Sequence, residues 1–178
     1  MKKALILTYE KFQDHEVIYP YYRLTEDNYD VEIMSNKKGR LHGIMGTYME
    51  GTHLVSDLDT DHRDRFFDYD LLVIPGGVKA LEKLRQEKSA LTFINAWNRK
   101  GKIIACICHG TQMLISARVV AGRDISGYYS IKDDIVNAGA NYVDEPIVVS
   151  NNIVTSAHYK HMGPWLKYAI DLVEETLK

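Results

Sequence analysis

The chain alternates short apolar blocks with longer stretches in which apolar residues recur every three or four positions. Residues 4–8 (ALILT), 70–75 (DLLVIP) and 103–105 (IIA) are continuous apolar blocks, the pattern of parallel strands covered on both faces. Residues 30–34 (DVEIM) alternate instead and predict a further strand, entered through a turn at Asn28 and Tyr29. Helical spacing marks residues 14–26 through Val17, Ile18, Tyr21 and Leu24, and residues 89–99 through Leu91, Ile94 and Trp97. It returns at residues 131–138 and at 165–177, where Leu166, Ile170, Val173 and Leu177 should face inward. Asp14 is placed to cap the first helix, whereas Pro20 should kink it or confine regular structure to either side. Gly101 and Gly139 stop the next two helices.

Between 36 and 61 the pattern loosens around Gly39, Gly43, Gly46 and Gly51, which predicts one or two short strands or a hairpin outside the main sheet. A weak strand is expected near Ile125. Residues 147–149 and 153–155 should pair as a hairpin around Asn151 and Asn152, which tolerate positive φ. Strands alternating with helices predict an α/β sandwich with a mostly parallel central sheet. With 178 residues and no repeat, low-complexity tract or linker, one domain over 1–178 is expected.

The segment 102–119, KIIACICHGTQMLISARV, carries the candidate chemistry. A buried strand runs into Cys108, His109 and Gly110, and an apolar helical face follows at Thr111, Met113, Leu114, Ile115 and Ala117. This arrangement is like a nucleophile elbow with Cys in place of Ser. A thiol at a helix N-terminus is expected to ionise more readily than free cysteine, and the thiolate is the nucleophile. The competing readings of Cys108 are a buried structural thiol and a redox sensor oxidised at sulfur. His109 is either a proton carrier or a structural histidine. Cys106 reads as a small core residue, and a disulfide across one intervening residue would be strained. Gly76 and Gly77 follow a strand and offer backbone N–H groups for an oxyanion; the alternative is a tight turn. His158 and His161 suit substrate recognition, and without a third ligand in view no metal is expected.

Charge narrows the partners. A formal net charge of −2 with no basic cluster argues against nucleic acid. Glu10 and Lys11 interrupt the N-terminal apolar stretch before it resembles a signal segment, and no apolar run is long enough to span a bilayer. A cytoplasmic protein is expected.

Four segments together resemble the ThiJ/PfpI superfamily, which includes PfpI-type intracellular proteases and the parkinsonism-associated deglycase: EVIYPYYRL (16–24), VIPGG (73–77), ACICHGTQMLISA (105–117) and IKDDIVNAGA (131–140). The resemblance implies a flavodoxin-like fold and a cysteine-dependent enzyme with Cys108 as nucleophile. It implies that Glu16 reaches the thiol from the first loop and that Tyr128 lines the pocket. It also implies no cofactor and a homodimer or higher homo-oligomer, in which Glu82, after the P-G-G turn, completes a Cys-His-Glu arrangement from a neighbouring subunit. Two departures stand out. Gln13 occupies a position where many members carry a carboxylate. The S-R-x-P-x-D block is replaced by Ser156, Ala157, His158, Tyr159, Lys160 and His161. The altered last block points to a small electrophile (a carbonyl compound, glyoxal adduct or isocyanide) over a peptide-like substrate. The alternative from another class is a redox-sensing or chaperone-like stress protein.

Overall fold

The computed structural model describes residues 1–61 and 63–178. Its first half runs β1 (Lys2–Leu7), α1 (Asp14–Glu26), β2 (Tyr29–Ser35), β3 (Gly39–His42), β4 (Tyr48–Gly51), β5 (His53–Leu54), β6 (Leu71–Ile74), α2 (Val78–Leu84) and α3 (Lys88–Arg99). The second half adds β7 (Ile103–Ile107), α4 (Thr111–Ser116), β8 (Asp124–Ile125), α5 (Lys132–Asn137), β9 (Asn141–Tyr142), β10 (Val148–Ser150), β11 (Ile153–Ser156) and α6 (Met162–Thr176). Seven strands form one sheet in the order β10-β11-β7-β6-β1-β2-β5. All neighbours are parallel except β10 and β11, the hairpin that the Asn151–Asn152 turn predicts. Helices pack on both faces, giving the flavodoxin-like sandwich. Every residue of β6 and β7 is buried, which is why these strands read as unbroken apolar blocks. The loose stretch before β6 folds as β3 and β4, an antiparallel pair outside the main sheet, while β5 joins the sheet edge beside β2.

Several local expectations shift. Residue 13, not Asp14, holds the N-cap position of α1; Asp14 is the first helical residue. Its carboxylate instead accepts hydrogen bonds from Met45 N (2.7 Å), Thr47 N (3.0 Å) and the Thr47 hydroxyl, tying the β3–β4 loop to the helix. Pro20 does not divide α1: it sits buried within a continuous helix. A proline costs one intrahelical N–H, and burying its ring against the core helps offset that loss. In α3 the buried stripe is Ala90, Phe93, Ile94 and Trp97, so Leu91 packs only at its margin. Leu177 lies past the end of α6 and is exposed. No helix among the described residues is long and apolar enough to cross a membrane.

The sheet order also places the site. From β1 the chain moves outward to β2, and from β6 it moves the other way to β7, so the order reverses between β1 and β6. Loops leaving the carboxyl ends of parallel strands diverge at such a switch point and open a crevice. The loops after β1, β6 and β7 are those that carry Gln13, Gly76–Gly77 and Cys108.

Gly110 makes the sharp exit from β7 possible. A Cβ there would lie 2.5 Å from Ile74 O and 2.9 Å from Pro75 O, both rigid backbone atoms. Gly110→Ala is therefore expected to destabilise the fold by about 2–4 kcal/mol, read as a lower midpoint in urea unfolding. An unchanged midpoint would show that the β6 and β7 loops are less tightly packed than described.

Candidate active site

Cys108 ends β7 with a left-handed φ of 59°. L-residues rarely adopt this conformation, and it persists only where surrounding contacts hold it. The turn lifts the sulfur out of the sheet while leaving the residue only 7% exposed. Beneath it lies Glu16, from the first turn of α1 and fully buried. Glu16 Oε2 accepts a hydrogen bond from Gly76 N at 2.6 Å. Its other oxygen, Oε1, has no nitrogen or oxygen partner, and the Cys108 thiol is the side chain that hydrogen-bonds this carboxyl. The approach is close: a Cβ on Gly76 would stand 2.5 Å from Glu16 Oε2 and 2.9 Å from Cys108 Cβ.

Burial sets the protonation of this pair. It raises the Glu16 pKa from an ordinary 4.5 to about 7, although the Gly76 and Cys108 hydrogen bonds pull the other way. The Cys108 thiol is also pushed up, first by burial and then by the Glu16 charge. This reverses the expectation of a thiol acidified by a helix dipole. Burial and the Glu16 charge outweigh the helix: α4 spans only Thr111–Ser116 and follows a 3₁₀ turn at Cys108–Gly110, so few aligned peptides face the sulfur. Cys106 lies fully buried below, with its sulfur 3.9 Å from Thr111 Oγ1.

His109 follows the elbow yet folds back. Its Nδ1 is 3.5 Å from Cys108 Sγ and its Nε2 is 3.3 Å from Ser130 Oγ. Burial lowers its pKa, which favours neutral imidazole at pH 7. The ring stacks on Tyr128, centroid to centroid 4.5 Å, and Tyr128 N bonds Cys108 O. His158 lies 6.2 Å beyond Tyr128, accepts a hydrogen bond from Lys160 N at Nδ1, and packs on Tyr159 at 4.1 Å.

These groups border a cleft of about 510 Å³ whose remaining walls come from Gln13, Ile44, Gly77 and Val78. Of the residues singled out in the sequence, Cys108, Glu16, His109, Gly77, Tyr128 and His158 converge here. Gly76 is present in a different role, because its N–H is committed to Glu16 and only the Gly77 amide remains on the cleft wall. Within one chain Glu82 does not join them: it is exposed on α2 and borders a separate depression with Tyr9, Glu10 and Lys11. His161 stays out of the cleft, and no cluster of metal-binding side chains occurs among the described residues. Sequence reasoning missed Ile44, Val78 and Ser130, whereas Tyr159 belongs to the 156–161 block already singled out. Ile44 had no signal, because the Asp14 clamp on the β3–β4 loop brings it there.

A larger apolar groove of about 820 Å³ runs along the outer side of α1 between Tyr22, Met45 and Met162, separate from the thiol. Size alone does not mark the chemistry here; convergence of polar groups on the sulfur does.

The chain is 36% identical to Deglycase PfpI of Pyrococcus furiosus over 97% of its own length and 99% of that protein's. It is 37% identical to the putative cysteine protease YraA of Bacillus subtilis, over 87% and 88% respectively. A solved two-domain protein of Anabaena variabilis, with DJ-1/ThiJ/PfpI-like and ferritin-like domains, superposes with a TM-score of 0.89 at 27% identity; the match covers 98% of this chain and 48% of that one. The model of the DJ-1/PfpI family matches residues 2–172, and the chain belongs to that family.

Proposed function

We propose that this chain is a cysteine-dependent enzyme in which Cys108 adds to the electrophilic carbon of a small carbonyl compound. The observation that carries the reading is the buried Glu16 carboxyl beneath Cys108, whose own side chain lines the cleft. Below about pH 7 both groups hold a proton; above it the pair keeps one, on sulfur or on the carboxyl, and the two forms are tautomers that titrate as a unit. When the sulfur bonds to the carbonyl carbon, the C=O π pair moves onto oxygen. The thiol proton passes through Glu16 to that oxygen, leaving a neutral hemithioacetal. Backbone amides at Gly77 and His109 are the donors for the developing charge, and neutral His109 is the base for a subsequent proton transfer or for activating water. Names given to relatives, deglycase and putative cysteine protease, accord with this chemistry. On this reading one domain spans 1–178, and Glu82 takes part only if a second copy of the chain supplies it.

Methylglyoxal turnover tests the proposal. Cys108→Ala should abolish it, and Glu16→Gln should lower kcat/KM by about 100-fold. Alkylation of Cys108 by iodoacetamide should rise with pH through about 7 in the native chain, and Glu16→Gln should lose that inflection. Turnover that survives Cys108→Ala would overturn the proposal. A selective mass gain at Cys108 under mild peroxide, with no turnover, would favour the redox sensor.

The same carboxyl should register in stability. Its folded pKa lies above its unfolded value, so the folded chain holds a proton that the unfolded chain releases between pH 4.5 and about 7. Stability should fall across that window by about 3 kcal/mol and level off above it. Glu16→Gln should remove the fall, so the variant melts several degrees above the native chain at pH 8 and close to it at pH 4.5. Parallel melting curves across the range would show that the carboxyl is not desolvated.

A further inference from the structure

Four polar groups stand in line between the buried carboxyl and solvent. Glu16 shares a hydrogen bond with the Cys108 thiol. Cys108 Sγ lies 3.5 Å from His109 Nδ1, and His109 Nε2 lies 3.3 Å from Ser130 Oγ. Exposure rises along the line: Glu16 is at 0% and Cys108 at 7%, His109 is half-buried, and Ser130 is exposed. One turn holds the outer links. Tyr128 N bonds Cys108 O, Ile131 N bonds Tyr128 O, and the Tyr128 ring stacks on the imidazole, so residues 128–131 fix both the ring and the hydroxyl beside it.

The hydrogens on this line follow from what each group is able to donate and accept. Glu16 Oε2 is taken up by the Gly76 amide, which leaves Oε1 to carry the hydrogen of the protonated carboxyl. In that form the carboxyl donates to sulfur, the thiol donates to Nδ1, and Nε2–H donates to Ser130 Oγ. Once the carboxyl has ionised, every donor turns round: the thiol donates to Glu16, Nδ1–H to sulfur, and the Ser130 hydroxyl to Nε2. Burial lowers the His109 pKa and favours the neutral ring, which has one donor and one acceptor in both forms. A carboxylate at position 130 would only accept and an ammonium would only donate, whereas a hydroxyl serves both directions.

We propose that Ser130 is a positioning residue, the solvent end of a reversible hydrogen-bond chain Glu16–Cys108–His109–Ser130 that sets the His109 tautomer and passes the proton of the buried carboxyl to water. In the outward step four hydrogens each move one link. The carboxyl hydrogen goes to sulfur, the thiol hydrogen to Nδ1, the Nε2 hydrogen to Ser130 Oγ, and the original Ser130 hydrogen to a water molecule. The products are a Glu16 carboxylate and one hydronium ion, and every group between them keeps its hydrogen count. The return step reverses each move. The inference rests on the proposed pairing of Cys108 with Glu16, and it gives that pair a route that stays open when a substrate lies over the sulfur. The other titratable groups facing the ring are the Tyr128 phenol stacked on it and His158 beyond Tyr128. Among the described residues that line the cleft, no carboxylate, ammonium or guanidinium group competes for Nε2.

Two isosteric variants isolate the hydroxyl: Ser130→Thr keeps it, and Ser130→Val replaces it with a methyl group at equal bulk. In methylglyoxal turnover Ser130→Val should lower kcat by about tenfold with KM little changed, and imidazole buffer should restore it in proportion to its concentration. The native chain and Ser130→Thr should not respond to the buffer. A second readout needs no turnover. Nitrogen NMR of isotope-labelled histidine should place the His109 ring hydrogen on Nε2 at about pH 6 and on Nδ1 at about pH 8, either side of the Glu16 pKa of about 7. Ser130→Thr should reverse in the same way. Ser130→Val offers Nε2–H no acceptor, so its hydrogen should stay on Nδ1 at both values. Native kcat in Ser130→Val, a loss that imidazole does not restore, or a reversal that survives in that variant overturns the inference and leaves the covalent reading standing. If methylglyoxal is not turned over at all, the covalent reading fails and the nitrogen spectra decide alone. Reversal in the native chain and Ser130→Thr but not in Ser130→Val then upholds the chain of bonds, and any other pattern overturns it.

Discussion

The site depends on one carboxyl group placed where water cannot reach it. Glu16 is fully buried, its Oε2 is held by the Gly76 amide at 2.6 Å, and the Cys108 thiol hydrogen-bonds the same carboxyl. Three loops, from β1, β6 and β7, close on this group, and they close so tightly that only a glycine fits at position 76. Such burial disfavours charge on either partner. The reactive feature is therefore a proton shared between two reluctant acids, with the short helix after the elbow contributing little.

The contrast within one helical turn makes the point. Asp14 and Glu16 both lie in the first turn of α1, where the macrodipole favours anions equally. Burial pushes Asp14 upward, but hydrogen bonds from Thr47 and Met45 outweigh it and leave its pKa below the ordinary value. Glu16 receives one backbone N–H and a thiol, which are not enough, and its pKa rises to about 7. The first carboxylate is an ionised clamp that holds the β3–β4 loop and with it Ile44. The second is a proton store beneath the sulfur. Two residues apart in sequence, they differ in how deeply the fold buries them and in how many donors it brings to them.

Family and fold leave the substrate open, because the elbow and its carboxyl belong to the scaffold while the cleft walls come from loops that vary independently. Here those walls are supplied by the β3–β4 loop, the segment after β8 and the turn before α6. Rings and aliphatic side chains dominate them, and among the described residues that line the cleft none carries a carboxylate, ammonium or guanidinium group.

What was legible in the sequence was what depends on short-range pattern. The unbroken apolar blocks ALILT, DLLVIP and IIACI announced strands covered on both sides, and the spacing in α1, α3 and α6 announced amphipathic helices. The Cys-His-Gly turn at 108–110 marked the elbow, where strand pattern gives way to helical pattern. Four separated segments in order then pointed to the family. What the sequence could not carry was anything set by distance in space. The protonation of Cys108, the commitment of the Gly76 amide, the unbroken helix through Pro20 and the placement of Ile44 all depend on which groups meet across the switch point between β1 and β6. A pKa or a hydrogen bond is a property of an environment, and here that environment is assembled from residues up to 92 positions apart, Glu16 and Cys108; only the folded sheet brings them together.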